Sequence, residues 1–209
     1  LLRKLEGHSA GVNSVALTLD GQQAVSTAYD GTLRMWNVGR VQIPSSVEGH
    51  GAGVIAITAL PDRPIAVSAS HDNTLKIWNT ASGGLLRTIH VPRSALNAMA
   101  VLPDARQILS ASYDEPLRVW NLESGTMPGA LAHHEDWIMA VAILPGGARA
   151  VSVSDEHFLS LWDLETGERI QTLELQDYPG GFSNIHVLSD GQRLLLGAGD
   201  GSLCVYSML

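Results

Sequence analysis

Hydrophobic and polar positions alternate in short runs along the whole chain. In the first repeat such runs cover residues 12–19, 22–28 and 32–36, and the dipeptides Asp20-Gly21 and Asp30-Gly31 separate them. Alternation with a period of two predicts β-strands, and Asp-Gly between two runs predicts a hairpin turn. A fourth, weaker segment leads to Glu48. Because the runs are short and lack helical periodicity, the pattern predicts an all-β fold built from antiparallel meanders.

The same pattern returns at a fixed interval. Trp36, Trp78, Trp120 and Trp162 lie 42 residues apart, and Tyr206 follows the last of them after 44 residues. A four-stranded unit of this length cannot bury its apolar face alone and must stack on the next unit. The period therefore predicts a β-propeller of four-stranded antiparallel blades. We expect one domain over residues 1–209, with five repeats at about 1–40, 41–83, 84–125, 126–167 and 168–209.

Paired dipeptides mark the start and the end of the repeats. The pairs are Gly7-His8 with Trp36-Asn37, Gly49-His50 with Trp78-Asn79, and His133-His134 with Trp162-Asp163. With these motifs in register, the chain resembles the WD-repeat β-propeller family over its whole length, in the style of bacterial WD-repeat arrays. The resemblance implies a non-catalytic scaffold or sensor module that binds a protein or peptide on the rim of the propeller.

The sequence leaves the number of blades open. The segment from Leu1 to Glu6 corresponds to residues 85–89, which form the outermost strand of a blade, while the chain ends after the third strand of its fifth repeat. The first segment could complete the last blade and close a ring of five. Alternatively, the five blades belong to a larger ring, as is usual in the family.

His, Ser, Asp and Trp recur at constant offsets, which invites comparison with a Ser-His-Asp triad. A nucleophile repeated in several blades has no single substrate pocket, so we expect no catalytic residue. The resemblance instead implies a structural hydrogen-bonded chain in each blade, formed by His8, Ser26, Asp30, Trp36, His50, Ser68, Asp72, Trp78, Ser110, Asp114, Trp120, His134, Ser152 and Trp162.

The later repeats depart from this set. Pro92 replaces the histidine of the third repeat, and Glu156 occupies the aspartate position of the fourth, beside Asp155. In the fifth repeat Tyr178 and Leu196 stand where histidine and serine are expected. We therefore predict that the fifth blade is the least rigid.

One rim of the predicted propeller carries unusual side chains. Trp137 stands at a position that is Gly11, Gly53, Ala95 or Gly181 in the other repeats, and an exposed aromatic is typical of an interface anchor. Packing of Trp137 against a neighbouring loop is the alternative. In the family, the residue before each turn aspartate reaches the same face. With the starts of the inner strands, the predicted partner-binding set is Tyr29, His71, Tyr113, Trp137, Asp155, Asn13, Asn97 and Met139.

Composition narrows the function further. The formal net charge of −8 argues against nucleic acid or an anionic membrane as a partner. The single cysteine, Cys204, excludes an internal disulfide, and no signal peptide is evident, so we expect a cytoplasmic protein.

The segment His133-His134-Glu135-Asp136 does not match a metal-ligand spacing, and no phosphate-binding loop is present. We expect no metal, no cofactor and no enzymatic activity. The alternatives are a propeller enzyme or small-ligand binder that uses the central channel, and a structural spacer in a larger regulatory protein. The partner could also be an effector domain of the same parent chain.

Overall fold

The computed structural model describes residues 4–18, 20–38, 45–91, 96–112, 116–127, 129–131, 136–175 and 181–208, with the backbone alone for residues 45–48 and 130. The chain divides into two compact units, Leu1–Leu96 and Asn97–Leu209. All regular structure in the described residues is β-strand, so the all-β prediction is confirmed. No helix in these ranges has the length and apolarity needed to span a membrane.

The first unit contains two antiparallel four-stranded sheets, in which each strand pairs with the next along the chain. The first sheet consists of β1 (Val12–Leu17), β2 (Gln23–Ala28), β3 (Thr32–Asn37) and β4 (Ser45–Glu48). The second consists of β5 (Val54–Ala59), β6 (Ile65–Ser70), β7 (Thr74–Asn79) and β8 (Leu85–His90).

The second unit contains two further four-stranded sheets and one three-stranded sheet, in which each strand again pairs with the next along the chain. The third sheet, whose first strand begins at the boundary between the units, has β9 (Leu96–Val101), β10 (Gln107–Ser112), β11 (Arg118–Asn121) and β12 (Gly129–Ala130). The fourth has β13 (Ile138–Ile143), β14 (Arg149–Ser154), β15 (Phe158–Asp163) and β16 (Arg169–Glu174). The fifth has β17 (Phe182–Val187), β18 (Arg193–Ala198) and β19 (Leu203–Ser207).

The core of each unit lies between consecutive sheets. In the first unit Val25, Leu33 and Met35 of the first sheet pack against Val54 and Ile57 of the second. In the second unit one cluster joins the third and fourth sheets, and another joins the fourth and fifth. Within each unit, consecutive meanders thus bury apolar residues against each other, as the stacking argument requires.

Turns between the strands use the left-handed region where the repeat demands it. Gly31 and Gly201 have φ of 78° and 87° in equivalent turns, a conformation that glycine adopts without a steric penalty. Asn73 and His157 stand at the same position with φ of 63° and 68°. The turn therefore keeps its geometry even where the glycine is lost.

The predicted closure of the ring stays a prediction. Residues 1–3 lie outside the described residues, and residues 4–6 adopt no regular structure. The fifth sheet has three strands within the described part of the chain. The division into five repeats over residues 1–209 likewise stays a prediction.

Candidate partner-binding surface and its supporting network

A chain of side-chain hydrogen bonds runs through the first sheet. The indole Nε1–H of Trp36 donates to Ser26 Oγ at 2.7 Å, and His8 Nε2 lies 2.7 Å from the same hydroxyl. His8 Nδ1 lies 3.1 Å from Asp30 Oδ2. A carboxylate only accepts, so His8 donates from Nδ1; when the ring is neutral, Nε2 accepts the proton of Ser26. Every member of the chain thereby has a partner of the right polarity.

The second sheet repeats this chain. Trp78 Nε1–H donates to Ser68 Oγ at 2.8 Å, His50 Nε2 lies 2.7 Å from that oxygen, and His50 Nδ1 lies 2.9 Å from Asp72 Oδ2. Burial lowers the pKa of His50 from its ordinary 6.5, even though Asp72 favours the charged ring. Both bonds at the ring are therefore made by a neutral imidazole.

Hydrogen bonds hold the turn aspartates in their charged form. Burial alone would raise the pKa of Asp72, but donation from Thr74 and from the Gly51 amide, together with the His50 ring, outweighs it and lowers the pKa from 3.8. The pKa of Asp30 is lowered strongly for the same reason, by Thr32 and Ser9. These two carboxylates are fixed acceptors that anchor the start of the first and second repeats to their central turns.

Two threonines extend the chain in a way that the sequence analysis missed. Thr32 Oγ1 donates to Asp30 Oδ1 at 2.6 Å, and Thr74 Oγ1 donates to Asp72 Oδ1 at the same distance. Each hydroxyl also lies 3.1 Å from Nδ1 of the histidine, as an acceptor. The spacing Asp-x-Thr, present in both repeats, is the signal that would have identified them.

The glycines of the first two Gly-His pairs lie against side chains of the third strand. A Cβ atom on Gly49 would collide with the six-membered ring of the Trp78 indole. A Cβ on Gly7 would approach Arg34 Nη1 to 2.7 Å. At Gly49 only glycine leaves room for the buried indole, whereas at Gly7 the flexible end of Arg34 could move aside.

In the third and fourth sheets the structure describes the first hydrogen bond of the same series. Trp120 donates to Ser110 Oγ and Trp162 to Ser152 Oγ, both at 2.9 Å. Pro92, Asp114, His134 and Tyr178 lie outside the described residues. In the fifth sheet Leu196, at the serine position, is fully buried in an apolar cluster, and Tyr206 packs against that cluster.

In four of the five sheets, a repeated backbone contact between described residues defines the end that we call the rim end. There the amide of the residue before the turn aspartate donates to the carbonyl of the residue before the first strand. The pairs are Tyr29 to Gly11 at 3.0 Å, His71 to Gly53 at 3.1 Å, Asp155 to Trp137 at 2.9 Å and Gly199 to Gly181 at 2.8 Å. Tyr29, His71, Asp155 and Trp137 thus occupy equivalent places in their sheets.

At the rim end of the first unit, Tyr29 lies over two glycines. A Cβ on Gly53 would stand 3.1 Å from Tyr29 Cδ1, and one on Gly11 would stand 3.6 Å from Tyr29 Cδ2. The phenol ring therefore rests between the first and second sheets, where larger side chains would displace it. The Tyr29 ring is exposed, and His71, which holds the equivalent position in the second sheet, is half-buried.

At the rim end of the second unit the large side chain precedes the first strand and the small one precedes the turn, which is the reverse of the arrangement at Tyr29. Trp137 is exposed, and the residue opposite it is the short Asp155. The Asp155 carboxylate accepts the backbone N–H of Trp137 at 3.1 Å. Ile138, the next residue, is buried, which fixes the backbone that presents the indole.

Three other residues of the predicted set lie in the first strands and contact neighbouring sheets. The strand register shifts between Val12 and Ser14 and between Ile138 and Ala140, so Asn13 and Met139 occupy β-bulges, which re-aim a side chain. Asn13 Nδ2 donates to the Val54 carbonyl at 2.8 Å.

Asn97 makes the equivalent bond, to the Ile138 carbonyl at 2.8 Å, and its Nδ2 lies 3.7 Å from Met139 Sδ. The two amides thus link consecutive sheets. Whether either also meets a partner stays a prediction.

The remaining features of the sequence analysis are Tyr113, the histidine-rich segment and Cys204. Tyr113 and residues 133–135 lie outside the described residues. Within the described ranges, no group of three His, Cys, Asp or Glu side chains is arranged to hold a metal ion. Cys204 is buried in the apolar cluster between the fourth and fifth sheets, 3.8 Å from Ser202 Oγ.

Comparison with known proteins agrees with this geometry. The model of the family described as WD domain, G-beta repeat matches residues 1–37, 42–79 and 125–163, more than half of the chain. The small ribosomal subunit protein RACK1 of Trypanosoma brucei brucei, and its counterpart in Trypanosoma brucei rhodesiense, are 56% identical to the chain over 36 residues.

That segment is 17% of this chain and covers 11% of the length of each relative, so the similarity is local. The repeated sheets, the Trp–Ser–His–Asp bonds and the match to the family model lead to one conclusion. The chain belongs to the WD-repeat family.

Proposed function

We propose that this chain is a non-catalytic protein-interaction module that binds a protein or peptide at the rim end of its sheets. The observation that carries the proposal is the exposure of two large aromatic side chains there. Tyr29 is 61% and Trp137 54% exposed, whereas the tryptophans of the third strands are buried. Exposed Trp and Tyr combine a large apolar surface with a polar atom, which is why they dominate interface energetics.

Both anchors are held before any partner arrives. Tyr29 rests on Gly11 and Gly53, and its amide is bonded to the Gly11 carbonyl. Trp137 is held by two backbone-linked bonds to Asp155 and by the buried Ile138 that follows it. Anchors whose backbone is already fixed lose less conformational entropy on binding, so more of the contact energy appears as affinity.

Family membership and the local similarity to RACK1 support a scaffold in general terms. We extend this to a cytoplasmic module without enzymatic activity, whose partner is a protein. The net charge of −8 disfavours the phosphates of nucleic acid or of an anionic membrane as its main contact. An effector domain of the same parent chain fits the same description.

The test compares rim variants with matched variants elsewhere. Tyr29→Ala and Trp137→Ala remove the anchors, whereas Leu86→Ala and Ile170→Ala remove exposed apolar side chains from equivalent positions of the outer strands β8 and β16. Proteins captured by the chain are identified by quantitative mass spectrometry, and the affinity of the chief partner is then measured by calorimetry.

We expect Trp137→Ala or Tyr29→Ala to lower the affinity for the chief partner by at least about 30-fold, the loss typical of a hot-spot residue. The two outer-strand variants should bind as the unaltered chain does, and all four should keep its circular dichroism spectrum. A partner that binds all four variants equally would show that the interaction lies elsewhere. Loss of binding with Leu86→Ala or Ile170→Ala alone would assign it to the outer strands.

A further inference from the structure

Charged residues are divided unequally between the two units of the chain. Leu1–Leu96 holds eight Lys or Arg residues and six Asp or Glu residues, whereas Asn97–Leu209 holds five and fifteen. With histidine neutral, the formal charge is therefore +2 for the first unit and −10 for the second. An excess of one sign attracts partners of the opposite sign and repels those of the same sign. The second unit thus favours a cationic partner more strongly than the chain as a whole does.

Within the fourth and fifth sheets the described arginines lie away from the rim end. Arg149, Arg169 and Arg193 begin β14, β16 and β18, whose other ends reach the rim. Acids accompany them there, since Arg193 donates to Asp190 at 2.6 Å and Arg149 pairs across the strands with Asp163. At the rim end of these two sheets the described residues include no Lys or Arg. They include five exposed or half-buried carboxylates, Asp136, Asp155, Glu156, Glu174 and Asp200.

The exposed indole of Trp137 lies within this acidic end. The Asp155 carboxylate accepts the Trp137 backbone N–H, Asp136 immediately precedes Trp137, and Glu156 immediately follows Asp155. The face of an indole ring carries a partial negative charge, so it attracts cations as the carboxylates do. The ring and the acids around it therefore favour the same kind of ligand.

The position of Trp137 in the sheet separates it from the surfaces on which repeats stack. The fourth sheet packs on the third through one lateral face and on the fifth through the other, within the same unit. A further repeat would stack on a lateral face, whereas Trp137 lies at the ends of the strands. The exposure of its ring is therefore a property of the second unit itself.

We infer that the partner places an arginine side chain over Trp137. This inference rests on the proposed function and specifies the chemistry of its contact. A guanidinium group is planar and always charged, so it can stack on the indole while its N–H groups donate to a neighbouring carboxylate. An ammonium group is a compact point charge and cannot stack in this way. The partner segment is accordingly basic and carries arginine rather than lysine at this point.

The other end of the same sheet already contains an arginine over a tryptophan. The guanidinium carbon of Arg169 lies 5.9 Å from the centroid of the Trp162 ring, within the range of a cation–π contact. Trp162 is fully buried and its arginine comes from the same chain. At Trp137 the ring is exposed, and the rim end of these two sheets supplies no arginine of its own among the described residues.

The test uses the 209-residue chain and four blocked peptides of the form Gly-X-Gly-X-Gly, in which X is arginine, lysine, glutamine or glutamate. Proton–nitrogen correlation NMR follows the indole N–H signals of the five tryptophans, and Trp137→Phe assigns the signal of Trp137. We expect the arginine peptide to shift the Trp137 signal and to leave the four buried indoles unchanged. Its dissociation constant should be at least about tenfold lower than those of the glutamine and glutamate peptides, with lysine between.

Two matched double variants separate the rim end from the overall charge. Asp136→Asn with Glu156→Gln removes two charges beside Trp137 and leaves its bond to Asp155 in place. Glu165→Gln with Glu168→Gln removes two exposed charges at the other end of the same sheet. The first pair should weaken binding of the arginine peptide about threefold, the effect of losing exposed ion pairs, and the second by less than about 1.5-fold.

Three results would overturn the inference. The first is a lysine or glutamine peptide that binds as tightly as the arginine peptide. The second is an equal loss of affinity in the two double variants, which would assign the attraction to net charge. The third is an arginine peptide that leaves the Trp137 signal unmoved.

Failure of this inference is distinct from failure of the proposed function. If the captured partner binds Trp137→Ala as it binds the unaltered chain, Trp137 is not an anchor and the proposed function loses this contact. If Trp137→Ala loses the partner but the peptides show no preference for arginine, the docking site stands and only the arginine contact is wrong.

Discussion

The second and fifth sheets follow the same meander but stabilise it differently. In the second sheet Trp78, Ser68, His50 and Asp72 form a continuous chain of hydrogen bonds, and β8 covers the outer edge. In the fifth sheet an apolar leucine, Leu196, fills the serine position and is fully buried. The backbone pairing of the two sheets is nevertheless alike, with five paired positions between the second and third strands of each.

The difference separates two roles that the repeat combines. Apolar packing between consecutive sheets suffices to form the meander, because the fifth sheet forms it with an apolar residue in place of the serine. The polar chain adds a set of mutually satisfied buried groups, which rigidify the sheet but are costly when one of them is lost. The second sheet should therefore be both more rigid and more sensitive to substitution at these positions.

The largest expected effect is the loss of Ser68. The substitution Ser68→Ala leaves the buried Trp78 indole and the His50 ring without their shared partner, which costs about 1–3 kcal/mol of unfolding free energy. Urea unfolding followed by tryptophan fluorescence measures it. As a control in the fifth sheet, where Leu196 occupies the serine position, Ser183→Ala alters an exposed hydroxyl of the first strand and should change stability by less than about 0.5 kcal/mol. Equal costs at the two sites would contradict the comparison.

A smaller effect is expected in local opening of the two sheets without any substitution. Amide hydrogens of β18 and β19 should exchange about tenfold faster than those of β6 and β7, a difference of about 1.4 kcal/mol in opening free energy. Hydrogen exchange read by mass spectrometry on peptides from the two segments measures the ratio. Equal protection would mean that the polar chain adds no rigidity.

The smallest expected effect is a dependence of stability on pH that originates in the second sheet. Burial lowers the pKa of His50 below 6.5, so the unfolded chain takes up a proton before the folded chain does. The contribution of His50 is therefore complete above pH 6.5 and is lost as the pH falls below that value. The contribution of Asp72, whose pKa is lowered from 3.8, is lost only in stronger acid.

Thermal unfolding between about pH 7.5 and 5.5 checks this direction. The variant His50→Gln should lose less stability on acidification than the unaltered chain. The control His186→Gln replaces an exposed histidine of the fifth sheet and should leave the slope unchanged. A slope that is the same in all three proteins would place the pH dependence outside the second sheet.

The sequence alone was sufficient for the fold class because its signals are local and repeated. Alternation with a period of two, Asp-Gly turns and one aromatic residue per 42 residues predicted strands that the structure places within a few residues of their expected bounds. The predicted run at residues 12–19 ends at Leu17 in the structure. A period carries no such information about side chains that reach from one sheet to the next.

The side-chain roles were harder to predict for that reason. The partner contact predicted for Asn13 and Asn97 stays a prediction, but the sequence did not indicate that their amides bond to carbonyls of the following sheet. Asn13 is re-aimed by a β-bulge, a shift in strand register that the residue types in this segment do not predict. Thr32 and Thr74 were overlooked because a hydroxyl two residues after an aspartate is also typical of an ordinary turn.

The distribution of the five tryptophans gives the protein a built-in optical reporter. Trp36, Trp78, Trp120 and Trp162 are shielded from solvent, and each donates its indole proton to a serine. Trp137 is the one member of the five that dissolved quenchers such as iodide can reach readily. Docking of an unlabelled molecule over this indole would therefore appear as a blue-shifted, quencher-resistant emission, while the other four indoles report on the integrity of the sheets.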